Sequence, residues 1–289
     1  MPVRIPSGRP RSSPPPLPLP TTAEHPGSCA VPSRLSVSGL DKAFGDVPVL
    51  TGMSMLVQPG EVVALVGPNG SGKSTALRCV TGLLAPDAGE LLVDGHPVGS
   101  DHARRRTALV PDSPRGLEEL TIDEFLRLFR ALHAAPAQQY ARRTTALVEA
   151  FNLTGRGRVL LRALSHGQRR QVSAVAALGV GPDLLVVDEA AAALDPEAVI
   201  VLREALRASV QGGASVLLAT QDLHFAQGCA DRFLLLHRGS VIAGGTLQEL
   251  YDRFLPAVPA ARRDLEGVFL AALDQPSHVE GLRDAFRPL

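Results

Sequence analysis

The sequence predicts an α/β fold built on a mainly parallel core sheet, from three observations. Continuous apolar runs, VVALV at 62–66, LLVVD at 184–188 and SVLLAT at 215–220, have the length and composition of strands buried on both faces of a sheet. Stretches of helical period separate them, as parallel strands joined by crossover helices require. A glycine-rich turn, GPNGSGKST at 67–75, follows the first run directly and opens a helix-like segment.

The first 33 residues differ from the rest. MPVRIPSGRPRSSPPPLPLPTTAEHPGSC is dominated by Pro, Ser and Gly and has no continuous apolar segment of the signal-peptide kind. It buries too little apolar surface to offset chain entropy, so residues 1–33 are expected to form a disordered extension. From Arg34 the β-rich runs RLSVSGL and VLTGMSMLVQ precede VVALV, which Gly60 and Gly67 bound. TIDEFLRLFRALH opens with Thr121 and Glu124 at capping-box spacing, and Ile122, Phe125, Leu126, Phe129 and Leu132 fall on one helical face. AQQYARRTTALVEAF supplies a second helix, so residues from about 112 to 163 read as a helical insertion into an α/β unit covering 34–250. TLQELYDRF and RRDLEGVFLAAL are further helices, the latter within a C-terminal extension over 251–289.

Composition excludes several function classes. A chain of 289 residues with 45% hydrophobic and 20% charged residues can bury a large core, which Leu, Val and Ala must fill because aromatics make up 4%. Lys plus Arg and Asp plus Glu number 29 each, so no basic surface points to nucleic acid. The apolar runs fall short of the roughly 18 to 20 residues of a membrane span. Cys29, Cys79 and Cys229 form no CxxC pair, which argues against a disulfide framework or a zinc cluster.

GPNGSGKST satisfies G-x-x-x-x-G-K-[ST], the Walker A pattern, between a strand and a helix. Glycines let backbone N–H groups turn inward around phosphate oxygens, and the helix N-terminus adds partial positive charge. Lys73 is expected to reach the β- and γ-phosphates of a nucleotide, and the Ser74 hydroxyl to ligate Mg²⁺. LLVVDEA then sets Asp188 and Glu189 at the carboxyl end of an apolar strand, the edge at which α/β sheets bind ligands. Asp188 would hold Mg²⁺ through its hydration shell and Glu189 would polarise an attacking water; the plainer alternative is a helix cap. In LSHGQRRQVSAVAAL at 164–178, Ser165 can N-cap a helix whose first N–H groups, near His166 and Gly167, form another anion-binding terminus. One nucleotide hardly needs two such termini, which suggests that this one serves a nucleotide held by a second copy.

GPNGSGKST, LSHGQ twenty residues before the Asp188-Glu189 pair, and ALDP at 193–196 occur in the order found in ATP-binding cassette (ABC) transporter nucleotide-binding domains, and the chain resembles that family over about residues 34 to 250. The resemblance implies a P-loop NTPase of the ABC ATPase type, with an antiparallel β subdomain, a helical subdomain and two such domains closing head to tail on ATP. It implies that Phe44 stacks on adenine, that Gly67, Pro68, Asn69, Gly70, Ser71, Gly72, Lys73, Ser74 and Thr75 bind phosphates and Mg²⁺, and that Ser165, Gly167 and Gln168 close on the γ-phosphate held by a second subunit. Asp195 would communicate across that interface, in a homodimer or a heterodimer. The driven protein would be a separate membrane permease touched by the helical insertion, with this chain on the cytoplasmic face of the cell membrane.

Two positions depart from the family pattern. The family carries a Gln that senses Mg²⁺ where TALVPDSP has Asp112, and the PDSP form looks like bacterial exporter ATPases. The family's switch His follows a strand as T-H, whereas here the sequence is Thr220-Gln221. A Gln amide can donate a hydrogen bond to the γ-phosphate but cannot titrate near neutral pH, as a His can. The expected function is ATP hydrolysis that drives a transporter, with Glu189 and Gln221 at the reacting phosphate; the alternative is a slow nucleotide-dependent clamp or regulatory subunit.

Overall fold

A computed structural model of the chain describes residues 33–111, 116–254 and 264–273. Asp112 and, apart from Ser33, the Pro-rich extension expected over 1–33 lie outside the described residues. Two long strands, β1 (Leu35–Phe44) and β2 (Val47–Val57), form an antiparallel hairpin from Leu35↔Val57 to Phe44↔Val47. Next, β3 (Val62–Val66) leads through the glycine-rich turn into α1 (Lys73–Val80), and β4 (Ala88–Val93) with the short β5 (His96–Pro97) returns to the hairpin. This first sheet has the order β2-β1-β4-β5, antiparallel throughout.

Beyond it come α2 (Asp101–Arg106), β6 (Thr107–Val110), α3 (Ile122–Leu132), α4 (Ala137–Ala150), α5 (His166–Val180) and β7 (Leu184–Asp188). The chain continues through α6 (Pro196–Gln211), β8 (Ser215–Thr220), α7 (Leu223–Cys229), β9 (Arg232–His237), β10 (Ser240–Gly245), α8 (Leu247–Phe254) and α9 (Leu265–Ala272). The second sheet has the order β10-β9-β3-β8-β7-β6, and its pairings are parallel except for β10 on β9. The three apolar runs read from the sequence are β3, β7 and β8, which lie side by side at its centre, and every residue in them is buried.

Alternation along these strands feeds separate cores. Leu184 and Val186 join the first sheet and α1 in one cluster, while Leu185 and Val187 face α3, α5 and α6 in another. Two residues of β3, Ala64 and Val66, pack instead with α7, α8 and α9. This is the period-2 pattern of a sheet covered on both faces.

Capping chemistry fixes the helices that carry function. The capping box anticipated at α3 is present: Thr121 Oγ1 accepts from the Glu124 N–H at 3.3 Å, and Glu124 Oε2 accepts from the Thr121 N–H at 2.9 Å. Not all of the apolar face anticipated for α3 is covered, however. Ile122 and Phe125 are buried, whereas Leu132 at the helix end is 72% exposed because it overhangs a groove instead of the core.

Phe125 is 1% exposed and packs with Ile122, Phe151, Leu153 and Leu161 against the sheet. Phe125→Ala is expected to lower the unfolding free energy by about 3 to 5 kcal/mol. Urea unfolding measures this, and a loss below about 1 kcal/mol would show that α3 is not anchored through this ring.

Candidate nucleotide site

The register of the central sheet assembles the site. Val66 lies beside Thr220 and Asp188 beside Ala219, and because β3, β7 and β8 are parallel, Gly67, Glu189 and Gln221 all emerge at one edge. Carboxyl edges of this kind are where α/β sheets bind ligands.

At the end of β3 the backbone must turn sharply into α1. Gly67 passes so close to the Leu236 carbonyl that a Cβ would collide with it, and Gly72, at φ 107°, abuts Leu50 and the Val49 carbonyl. The loop is held from outside as well, since the Gly239 N–H donates to the Ser71 carbonyl at 2.9 Å. Inside this loop the Lys73 ammonium is buried. It donates to the Gly67 carbonyl at 2.9 Å and the Pro68 carbonyl at 3.2 Å, and it pairs with Glu189 Oε1 at 3.2 Å. Two of its hydrogen bonds thus go to loop carbonyls, while Glu189 Oε1, buried and without a hydrogen-bond donor, answers it by charge alone. Pro68, Asn69 and Gly70 are exposed at the crest, while Ser74 and Thr75 are half-buried in the first turn of α1.

The two acids sit where sequence spacing put them. Asp188 Oδ1 accepts from the Ser74 hydroxyl at 3.0 Å, and burial pushes the Asp188 carboxyl above the usual carboxylate range, with Glu189 adding to the rise and Ser74, Arg78 and Lys73 opposing it. Glu189 adopts φ 48°, a left-handed conformation that few non-glycine residues take, and its N–H donates to the Ala219 carbonyl at 2.9 Å. Its Oε2 accepts from Thr220 Oγ1 and from the Gln221 N–H, both at 3.2 Å. Gln221 thus touches Glu189 through its backbone, and its side chain is exposed. Asp222 then N-caps α7, accepting from the Phe225 N–H at 2.9 Å. His224 lies one turn further on that helix, at its start.

Ser165, Gly167 and Gln168 form a separate cluster. Ser165 and Gln168 complete a capping box at the start of α5, each accepting from the other's backbone N–H at 3.1 Å. Gly167 meets the Ala193 carbonyl so closely that no side chain would fit, and Asp195 N-caps α6 by accepting from the Ala198 N–H at 2.8 Å. These residues line a polar cavity of about 270 Å³ with Asn152, Gln171 and Glu197. Phe44 stands at the tip of the β1–β2 hairpin, 51% exposed, with the Lys42 ammonium 5.9 Å from its ring centroid.

The Ser74 hydroxyl and Asp188 carboxylate supply hard oxygen donors of the type Mg²⁺ takes, leaving further positions to water and phosphate. Among the described residues no cluster of three or more His, Cys, Asp or Glu could hold a metal ion. Two contributors escaped sequence reading. Gly239 holds Ser71, and Arg170, buried on α5, donates to the Ala192 carbonyl. Only Arg170 left a signal, as one of two adjacent arginines ahead of the apolar part of α5.

The family profile described as ABC transporter matches residues 50–192. The chain is 38% identical over 220 residues to the daunorubicin resistance ATP-binding protein DrrA3 of Streptomyces coeruleorubidus, covering 75% of this chain and 70% of that one. It is 36% identical over 218 residues to the Nod factor export ATP-binding protein I of Ralstonia nicotianae, covering 75% and 68%. To the ABC-type transporter ATP-binding protein EcsA of Bacillus subtilis it is 34% identical over 224 residues, covering 77% and 91%. A solved structure described as the ATP binding subunit of an ABC transporter superposes with TM-score 0.77 at 32% identity, covering 83% of this chain and all of the other.

Asp188 is disfavoured as an anion in the nucleotide-free chain. A carboxyl whose folded pKa is raised contributes stability at acid pH that is lost as pH climbs through that folded value. Asp188→Asn, which keeps the acceptor for Ser74 without the charge, is expected to melt higher than the wild type at pH 7, and the difference should shrink as pH falls toward the unfolded value of 3.8. Thermal melts across pH check this; a variant that melts lower at pH 7 would contradict it.

Proposed function

This chain belongs to the ABC transporter family as an ATP-binding subunit, and from that premise we propose that it hydrolyses ATP at the edge of β3, β7 and β8 to drive a separate membrane permease through closure of two such subunits. The observation that carries this reading is one connected cluster of loop lysine, helix hydroxyl and paired acids: Lys73 at 3.2 Å from Glu189 and Ser74 at 3.0 Å from Asp188.

The residues divide the work. Loop N–H groups from Gly67 to Thr75 and the N-terminus of α1 cradle the phosphates, and Phe44, exposed on one hairpin tip, offers its ring to the adenine. ATP entry gives the Lys73 ammonium phosphate oxygens in place of Glu189, which frees that carboxylate to orient water. Glu189 accepts the water proton as the water oxygen bonds to the γ-phosphorus, the bond to the β–γ bridging oxygen breaks, and ADP and phosphate leave. Mg²⁺, held by Ser74 and the hydrated Asp188 carboxylate, would neutralise charge developing on the phosphates. Ser165, Gly167 and Gln168 of a second subunit would complete the site across the interface, with Asp195 alongside.

For the permease, the support is a groove of about 1010 Å³ between α1, α2, β6 and α3. Leu83 and Leu132 line it at 68% and 72% exposure, Arg104 and Arg105 edge it, and Asp188 reaches its inner end. An apolar groove with polar edges suits an inserted helix, and its inner end adjoins the acids that respond to nucleotide. Among the described residues no helix is long and apolar enough to cross a membrane. The name of the Nod factor relative, an export ATP-binding protein, favours export.

Gln221 separates a working ATPase from a slow clamp. Gln221→His is expected to raise kcat by about 3- to 30-fold if the amide limits turnover, with KM for ATP little changed. Steady-state ATPase assays of the full chain, alone and with its permease, measure this. No detectable Mg²⁺-dependent hydrolysis in either protein would overturn the transport ATPase reading in favour of the clamp.

A further inference from the structure

The turn that follows β7 carries Glu189 at one end and Asp195 at the other, and two of its residues are held in left-handed backbone, Glu189 at φ 48° and Ala193 at φ 63°. Such conformations cost on the order of 1 to 3 kcal/mol each and persist only where neighbours impose them. Glu189 is held by Ala219, Thr220 and Gln221, and for the far end of the turn the neighbour is the first part of α5. Gly167 abuts the Ala193 carbonyl, and one turn later the Arg170 guanidinium donates to the Ala192 carbonyl from a position only 5% exposed. Within the turn, the Ala192 N–H donates back to the Glu189 carbonyl at 3.1 Å, so the two residues move together.

We propose that Arg170 is a positioning residue for hydrolysis: by gripping Ala192 it holds the Glu189–Asp195 turn against the signature helix, so that Glu189 in one nucleotide site answers to the position of Ser165 and Gln168 in the other. This rests on the reading of Glu189 as the base. Burial lowers the pKa of Arg170, and the negative charges of Glu189 and Asp188 oppose that only in part, which sets both acids within its electrostatic reach. A lysine would keep the charge without the planar fork that meets the Ala192 carbonyl. A methionine would keep the stem and lose both.

The test compares full-length wild type, Arg170→Lys and Arg170→Met by steady-state ATPase assay and by equilibrium titration with a fluorescent ATP analogue. Arg170→Met is expected to lose about 10- to 100-fold in kcat, the scale of a misplaced catalytic group, while nucleotide affinity and KM stay within about twofold of wild type. Arg170→Lys should recover part of the loss. Wild-type kcat in Arg170→Met overturns the proposal, as does a parallel loss of affinity, KM and thermal stability, which marks a merely structural role. Should Arg170→Met fail to fold, Arg170→Lys decides: reduced kcat at unchanged affinity supports the proposal, and unchanged kcat overturns it. Failure of the underlying reading shows separately, as Glu189→Gln retaining wild-type kcat.

Discussion

The Lys73 ammonium is the constraint on which the site depends. It is a buried cation in a loop whose backbone turns inward, and an isolated ion there would cost several kcal/mol. Two loop carbonyls accept hydrogen bonds from it and the Glu189 carboxylate balances its charge at 3.2 Å, which prevents that. Glu189, the proposed base, is thereby paired with Lys73, the proposed phosphate-binding lysine. In the proposed function, binding of a more highly charged anion would exchange one partner for another without exposing the lysine, and the same exchange would release Glu189.

Everything else serves to bring these groups to one edge. Register alone does much of it: a shift of one residue in the β3–β8 or β7–β8 pairing would turn Thr220 or Asp188 to the opposite face. The cores then lock the strands from both sides, with α1 and the first sheet on one face and α3, α5 and α6 on the other. A third cluster ties α8 and α9 to α7, the helix that starts directly after Gln221 and Asp222. Tyr251 on α8 strengthens this tie by accepting from Gln227 Nε2 at 3.1 Å.

Much of this was legible in the sequence because it rests on local rules. VVALV, LLVVD and SVLLAT are short, uniformly apolar and bounded by turn residues, and they are the three central strands. Thr121 with Glu124 stands at capping-box spacing and Ser165 reads as an N-cap; the box and the cap both form, the latter completed by Gln168. The rest depends on contacts between distant segments. Strand order is invisible to periodicity, and the left-handed backbone of Glu189 and Ala193 leaves no mark on residue types that seldom adopt it. Leu132 completes an apolar helical face in sequence yet lies exposed over a groove, since periodicity reports that a face is apolar and not what covers it. The meaning of Gln221 came only from comparison with a family pattern; by itself it is a polar residue after a strand.

The exchange of Glu189 for phosphate at Lys73 is tested most directly by the ATP affinity of Glu189→Gln. Measured by equilibrium titration with a fluorescent ATP analogue, at concentrations where sedimentation finds both proteins monomeric, the variant should bind about tenfold more tightly than wild type. That is the scale of a charge-assisted bond removed from the competing state. Equal or weaker binding by the variant would contradict the account, because Lys73 would then hold its carboxylate at no cost to the nucleotide.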